Sequence, residues 1–412
     1  MDFRISIGMV LVWSGLSIAV SAQPVSELPV PTGSFGIGRT PFQWVDRSRR
    51  EVMPDKKSDY RELLVYLFYP TDPKAKGDAA VYFPHLKETE AFEERYGKDS
   101  FKNGYGRSYS LLGNLRIHTI ENAKIAKGRF PLLIFSHGGG MPALCYTAII
   151  EELVSHGYVV AAVEHSGDGA TVVLPDGRII AQVGWDEIGQ RPKKEKTAFH
   201  MSRYKAGAED DSFVLDQLEK LNQGKLPEAS KQFKGRFDAG KSGALGHSFG
   251  GMLSIFACAR DKRFKLCLNL DGGLDEGESY GSPTQPVAAM YGGGVPTRRP
   301  GESDEAFAKR RESNKIFQDG LKVAYAGVRK GSYVMFVGTP GFTHFSYFDL
   351  PVAQSESGPW SATLEQFSLN KQIIRAFTLA AFDRVFKRKK DDSFDSLLKT
   401  YPAVSIDYLN PK

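Results

Sequence analysis

The sequence predicts an α/β fold: a mostly parallel central sheet with helices on both faces and lid-like insertions. Three observations carry that expectation. Short runs rich in β-branched and aromatic residues alternate with longer stretches whose apolar residues recur at three- and four-residue spacing. Several of the short runs are continuously apolar, the pattern of strands buried on both faces. One of them runs into "GALGHSFGG" (243–251), which reads as a strand, a glycine-flanked turn and the start of a helix.

From the N-terminus, residues 1–22 read as an export signal. Arg4 is the only early positive charge, Ile5 to Val20 is largely apolar, and "VSA" ends in a small-residue cleavage site at Ala22. This implies a secreted or periplasmic protein. Residues 23–59 read as an N-terminal extension, 60–390 as the main domain and 391–412 as a C-terminal tail. Strands are expected at 62–70, 130–138, 157–165, 242–248, 265–273, 286–292 and 332–338. Helices are expected at 141–157, 201–222 and 249–261. Two stretches break the alternation: 166–200, with "PDGR" and "RPKKEK", and 293–330, a charged helical pattern. They read either as solvated surface excursions or as a lid or rim over a site.

The composition, 41% hydrophobic and 25% charged over 412 residues, suits a folded chain with a sizeable core. A net charge of +6 is small and scattered, with neither a basic stripe nor a stacking motif, which argues against nucleic-acid binding while leaving contact with a membrane surface open. Cys145, Cys258 and Cys267 sit in apolar surroundings and read as buried free thiols rather than a disulfide framework. No metal-ligand spacing is found, so no cofactor is expected.

Ser248 lies in "GHSFGG" (246–251). A serine between strand and helix takes a strained backbone, and Gly246 and Gly250 leave room for the two elements to close around it. It is therefore expected to be a nucleophile. Its base should follow it in the chain, and of eight histidines only His344, in "GFTHFSYF", does so. The acid should end a strand between the two: Asp271, after "KLCLNL", fits, with Asp275 as the substitute. Two backbone donors are needed for an oxyanion. One is expected from Phe249, and the other from the loop "SHGGG", where Gly139 comes first and Gly138 next. His137 reads as a scaffold of that loop. The aromatics Phe345, Tyr347 and Phe348 either dip into a lipid interface or pack beneath the loop.

At these residues the chain resembles the plasma-type platelet-activating factor acetylhydrolase family of the α/β-hydrolase superfamily. The resemblance rests on "LFYPTD", "FPLLIFSHGGG", "ELVSHGYVVAAVEHSGDGA", "RFDAGKSGALGHSFGG", "DKRFKLCLNLDGG" and "GFTHFSYFD", in family order over about 60–350. It implies a triad of Ser248, Asp271 and His344, oxyanion donors at Gly139 and Phe249, and calcium-independent cleavage of short or oxidised sn-2 acyl esters of phospholipids. A general carboxylesterase or polyester hydrolase is the alternative. Two departures stand out: the family often has a bulky residue where this chain has Gly139, and the 293–330 insertion is longer and more polar.

Overall fold

The apolar runs form the centre of a ten-stranded sheet in the computed structural model, which describes residues 27–51, 59–96, 115–182, 192–273, 283–293, 301–325, 328–349, 363–387 and 392–409, with Gly113 and Arg298 between them. The expected export signal and Asp275 lie outside the described residues. In chain order the strands are β1 (Gly36–Arg50), β2 (Tyr60–Thr71), β3 (Thr119–Glu121), β4 (Phe130–Ser136), β5 (Val159–Glu164), the hairpin β6 (Val172–Val173) and β7 (Ile179–Ile180), β8 (Phe237–His247), β9 (Phe264–Leu270), β10 (Val287–Gly292), β11 (Ser332–Val337) and β12 (Val404–Leu409). The helices are α1 (Leu86–Tyr96), α2 (Thr147–Ser155), α3 (Lys193–Gln223), α4 (Phe249–Arg260), α5 (Asp304–Ala324), α6 (Leu364–Phe386) and α7 (Asp392–Thr400).

Strand order is β12-β11-β10-β9-β8-β4-β5-β2-β1-β3. The six central strands from β11 to β5 run parallel, and β2 and β12 flank them antiparallel. Because successive side chains on a strand point to opposite faces, β4 feeds two cores. Leu133 and Phe135 pack with Leu153 of α2 and Ile373 and Phe377 of α6. Leu132 and Ile134 pack with Leu215 and Leu218 of α3 and Leu253 and Phe256 of α4. This explains the continuous apolar runs and gives helices on both faces, as expected. Each such side chain contributes about 1.5–3 kcal/mol by leaving water.

The seven expected strands all form, most with shifts of one or two residues at their ends. β8 begins at Phe237, earlier than read, because Asp238 to Lys241, between the buried Phe237 and the apolar run, are small or polar and at least partly exposed. The segment read as an N-terminal extension supplies β1, and the one read as a tail supplies α7 and β12. Both strands lie toward the edges of the sheet, so their sequences lack an unbroken apolar run. In β1 the polar side chains are held by ion pairs instead: Arg39 with Glu121, and Arg49 with Asp46 and Asp210. The 166–200 insertion holds the β6–β7 hairpin, and the 293–330 insertion holds α5, nearly all of whose described surface faces solvent.

The expectation of three free thiols is corrected. Cys258 and Cys267 form a disulfide, their Cα atoms 6.2 Å apart, and only Cys145 is a free, buried thiol. The short turn between α4 and β9 folds the last turn of the helix back onto its own strand, a juxtaposition that sequence spacing does not reveal.

Candidate active site

Register brings the carboxyl ends of the central strands to one edge. Ser136 of β4 pairs with Gly246 of β8, His247 with Leu270 of β9, and Leu270 with Met290 of β10. Residues that follow these ends therefore meet. The first is Ser248, at φ 54 and ψ −119 between β8 and α4. A serine rarely holds this backbone, which costs about 1–3 kcal/mol. The glycines make it possible: a Cβ on Gly246 would lie 2.3 Å from Gly250 O, and one on Gly250 2.1 Å from Ser136 O.

Asp271, directly after β9, also has a positive φ of 58, and its N–H donates to Met290 O at 2.9 Å. The turn behind it is held by buried Asn269, which accepts from Gly272 N–H at 2.7 Å and donates to Gly272 O at 2.8 Å and Tyr325 Oη at 2.8 Å. Tyr291 Oη also donates to Gly272 O, at 2.7 Å. This clamp aims the carboxylate along the sheet edge.

His344 opens a short turn beyond β11. Thr343 caps it, accepting from Phe345 N–H while its own N–H donates to Ser346 Oγ at 2.9 Å. Below the turn, buried Lys371 of α6 donates to Tyr347 O at 2.8 Å and pairs with Asp349 at 3.3 Å. Burial pulls the Lys371 ammonium down to about 8 against the attraction of Asp349, and burial pushes Asp349 up to about 6 against that of Lys371. The pair ties the histidine turn to α6. Tyr347 and Phe348 are buried beneath the loop, and Tyr347 Oη donates to Met290 O at 2.9 Å. Of the two readings of these aromatics, packing holds for this pair.

The result is a hydrogen-bonded line. His344 Nε2 lies 3.0 Å from Ser248 Oγ, and His344 Nδ1 lies 2.7 Å from Asp271 Oδ2. The imidazole is 41% exposed and Asp271 15%, so the ring faces solvent while its carboxylate partner is sheltered. On the β4 side, Gly138 N–H donates to Tyr146 Oη at 3.0 Å and is engaged there. The Gly139 N–H has no acceptor among the described residues. Phe249 is the first residue of α4, at the positive end of its dipole.

The residues that sequence reasoning missed lie one layer deeper. Arg61 is buried with Asp210 at 2.6 Å and Glu51 at 2.8 Å, and His165 bridges Asp210 and Ser136 Oγ at 3.0 Å each. Burial works to raise Asp210, yet Arg61 and His165 hold it far below the carboxylate range; burial pushes its neighbour Asp211 up to about 7. Among the described residues Glu164 accepts only the Ala143 N–H, at 2.9 Å, and burial pushes it up to about 8. Between its ordinary value of 4.5 and about 8, the folded chain holds a proton that the unfolded chain has released. Its contribution to stability therefore falls as pH rises through that window. Glu164→Gln, which keeps the acceptor, is expected to melt with wild type at pH 5 and about 2–4 °C above it at pH 8. Melting curves at the two pH values check this; a pH-independent difference contradicts it. A separate cavity of about 630 Å³, lined by Arg39, Leu64, Tyr66 and Val173 among others, touches none of Ser248, Asp271 or His344.

Among the described residues no helix is long and apolar enough to cross a membrane, and no group of three potential ligands could hold a metal ion.

A family model described as "Platelet-activating factor acetylhydrolase, isoform II" matches residues 20–279, spanning Ser248 and Asp271 and ending before His344. The platelet-activating factor acetylhydrolase of Cavia porcellus is 31% identical over 216 residues, 50% of this chain and 49% of that protein. The probable 1-alkyl-2-acetylglycerophosphocholine esterase of Arthroderma benhamiae is 27% identical over 274 residues, 63% of this chain and 62% of that one. The chain thus spans about half the length of the guinea-pig relative. Among solved structures, a ferulic acid esterase from Streptomyces cinnamoneus superposes with a TM-score of 0.68 at 25% identity, covering 93% of this chain and 99% of that one. The sheet and its helices are those of the α/β-hydrolase fold, and the chain belongs to the platelet-activating factor acetylhydrolase, isoform II, family.

Proposed function

We propose that this chain is an exported serine hydrolase of carboxylic esters that cleaves short or oxidised sn-2 acyl groups from phospholipids without calcium. The observation that carries the reading is the line from Ser248 through His344 to Asp271. Ser248 Oγ attacks the ester carbonyl while His344 Nε2, 3.0 Å away, takes its proton and then passes it to the leaving alcohol. Asp271 keeps the second ring proton on Nδ1 and stabilises the imidazolium. The Gly139 and Phe249 N–H groups receive the charge that develops on the carbonyl oxygen, which is the largest contribution in reactions of this type. Water, activated by the same histidine, then releases the acyl group from Ser248.

Export rests on the apolar N-terminal run and is supported by the Cys258–Cys267 disulfide, a bond that persists in oxidising compartments. The phospholipid preference is supported by the names of the curated relatives. A second reading, hydrolysis of soluble esters, is favoured by the esterase neighbour and by the burial of Tyr347 and Phe348, which are withheld from any lipid surface.

The test measures release of acetyl, oxidised short and long sn-2 chains from phospholipids with excess chelator, beside p-nitrophenyl esters. Chelator-resistant cleavage that favours short sn-2 chains is the expected result. Activity confined to the p-nitrophenyl esters replaces the phospholipid reading with the soluble-ester one.

A further inference from the structure

Two buried side chains that the reaction scheme does not use, Tyr146 and His247, stand between the loop that carries Gly139 and the ring of His344. Both are wholly shielded from solvent. Tyr146 Oη accepts from Gly138 N–H at 3.0 Å and lies 2.9 Å from His247 Nδ1. A phenol oxygen that accepts one N–H has its own hydrogen to give, and Nδ1 of a neutral imidazole is the acceptor in line for it. His247 is kept neutral: burial first, then the facing His344, hold it well below the ordinary histidine value of 6.5. Its proton therefore sits on Nε2.

The His247 ring forms a plate under the active histidine. Its centroid lies 4.5 Å from that of His344 and 4.9 Å from that of Tyr347, with Phe348 edge-on at 5.1 Å. On the other side it meets Gly138, where a Cβ would lie 2.8 Å from Tyr146 Oη, 3.1 Å from His247 Nδ1 and 3.5 Å from Ser248 Cβ. Loop, plate and nucleophile are thus in direct contact.

Gly138 is pinned at both ends. Its N–H is taken by Tyr146, while its C=O accepts from Met141 N–H at 3.1 Å and faces His137 Nδ1 at 2.8 Å. His137 Nε2 accepts from His165 N–H at 3.1 Å, which places its own proton on Nδ1, toward that carbonyl. In a trans peptide the C=O and the following N–H point in opposite directions. Holding Gly138 C=O toward His137 and Met141 therefore turns the Gly139 N–H away from them. Were Gly138 N–H released from Tyr146, the peptide plane that precedes Gly138 would lose that anchor, and a glycine has the backbone freedom to let it turn.

We propose that Tyr146 is a positioning residue: its hydroxyl ties the Gly138–Gly139 loop to the His247 plate beneath His344, so that oxyanion donor and base are set as one unit. This rests on the proposed Ser248 hydrolase reading. Tyr146 touches no substrate atom; it acts through the loop and the plate.

The test begins with p-nitrophenyl acetate hydrolysis by the full chain, with Ser248→Ala as the blank. Tyr146→Phe keeps the ring and removes the hydroxyl. It is expected to lower kcat about 10- to 100-fold with KM within about twofold, because a misaimed oxyanion donor is felt in the transition state and not in ground-state binding. Phosphorylation of Ser248 by diethyl p-nitrophenyl phosphate, which uses the same donors, is expected to slow by a similar factor. His247→Asn, whose Oδ1 stands where Nδ1 accepts, is expected to keep about ten times the kcat of His247→Leu, and this arm decides should Tyr146→Phe fail to fold. A Tyr146→Phe enzyme that melts earlier but turns over normally per titrated Ser248 overturns the proposal, as do equal losses in the two His247 variants. Wild-type turnover no greater than the Ser248→Ala blank overturns the hydrolase reading and this proposal together.

Discussion

Ser248→Ala is expected to reduce kcat on any ester substrate by about 10⁶-fold, the scale seen when a triad nucleophile is removed elsewhere. The fold should be untouched. Alanine fits wherever serine does, and the main-chain contacts of residue 248, its N–H to Leu270 O at 2.9 Å and its C=O from Met252 N–H at 3.2 Å, do not use the hydroxyl. Steady-state hydrolysis with thermal melting separates the two effects. A second substitution sharpens the point. Ser248 is held at φ 54 by its surroundings, and glycine occupies that region without penalty. Ser248→Gly should therefore be as inactive as the alanine variant yet melt higher than it. A Ser248→Ala enzyme with appreciable turnover would place the nucleophile elsewhere and remove the basis of the proposed chemistry.

The parts of this site that were legible in the sequence are those whose chemistry is local. "GHSFGG" announces its own geometry, because only glycine fits where a Cβ would meet backbone at 2.1–2.3 Å. His344 was legible by elimination, since no other histidine follows Ser248. The continuous apolar runs marked the central strands because a strand covered on both faces has no polar side to show. What was not legible depends on contacts between distant segments. β1 carries "RTPFQWVDRSRR", polar enough to read as an extension, because Glu121 and Asp210 supply the partners for its arginines from far along the chain. In the sequence Tyr146 is one position of an apolar helical run and His247 one position of the serine motif. Each gains meaning only when β4 and β8 are set side by side. The Cys258–Cys267 bond was missed for the same reason.

Asp271→Asn is expected to cost about 10⁴-fold in kcat, with KM and melting temperature little changed. Structural loss can be set aside in advance. Position 271 has φ 58, and asparagine is one of the few non-glycine residues that take this region readily. The Asn269 clamp on Gly272 does not involve the Asp271 side chain. What changes is the proton on His344. The carboxylate, 2.7 Å from Nδ1, accepts a hydrogen bond and so leaves Nε2 unprotonated toward Ser248 Oγ. An asparagine amide can turn its NH2 to that nitrogen, which shifts the ring proton to Nε2 and makes the base a donor to the hydroxyl it should deprotonate. The loss should therefore appear in acylation, measured as the pre-steady-state burst of p-nitrophenol, and not in binding. Turnover within about tenfold of wild type would mean that Asp271 is not the orienting acid, and a large loss in Asp275→Asn with Asp271→Asn active would assign that role to Asp275. The present geometry favours Asp271, because a carboxylate directly at the end of β9 is held by the sheet itself, and a base that must find one tautomer on every turnover needs a partner that does not move.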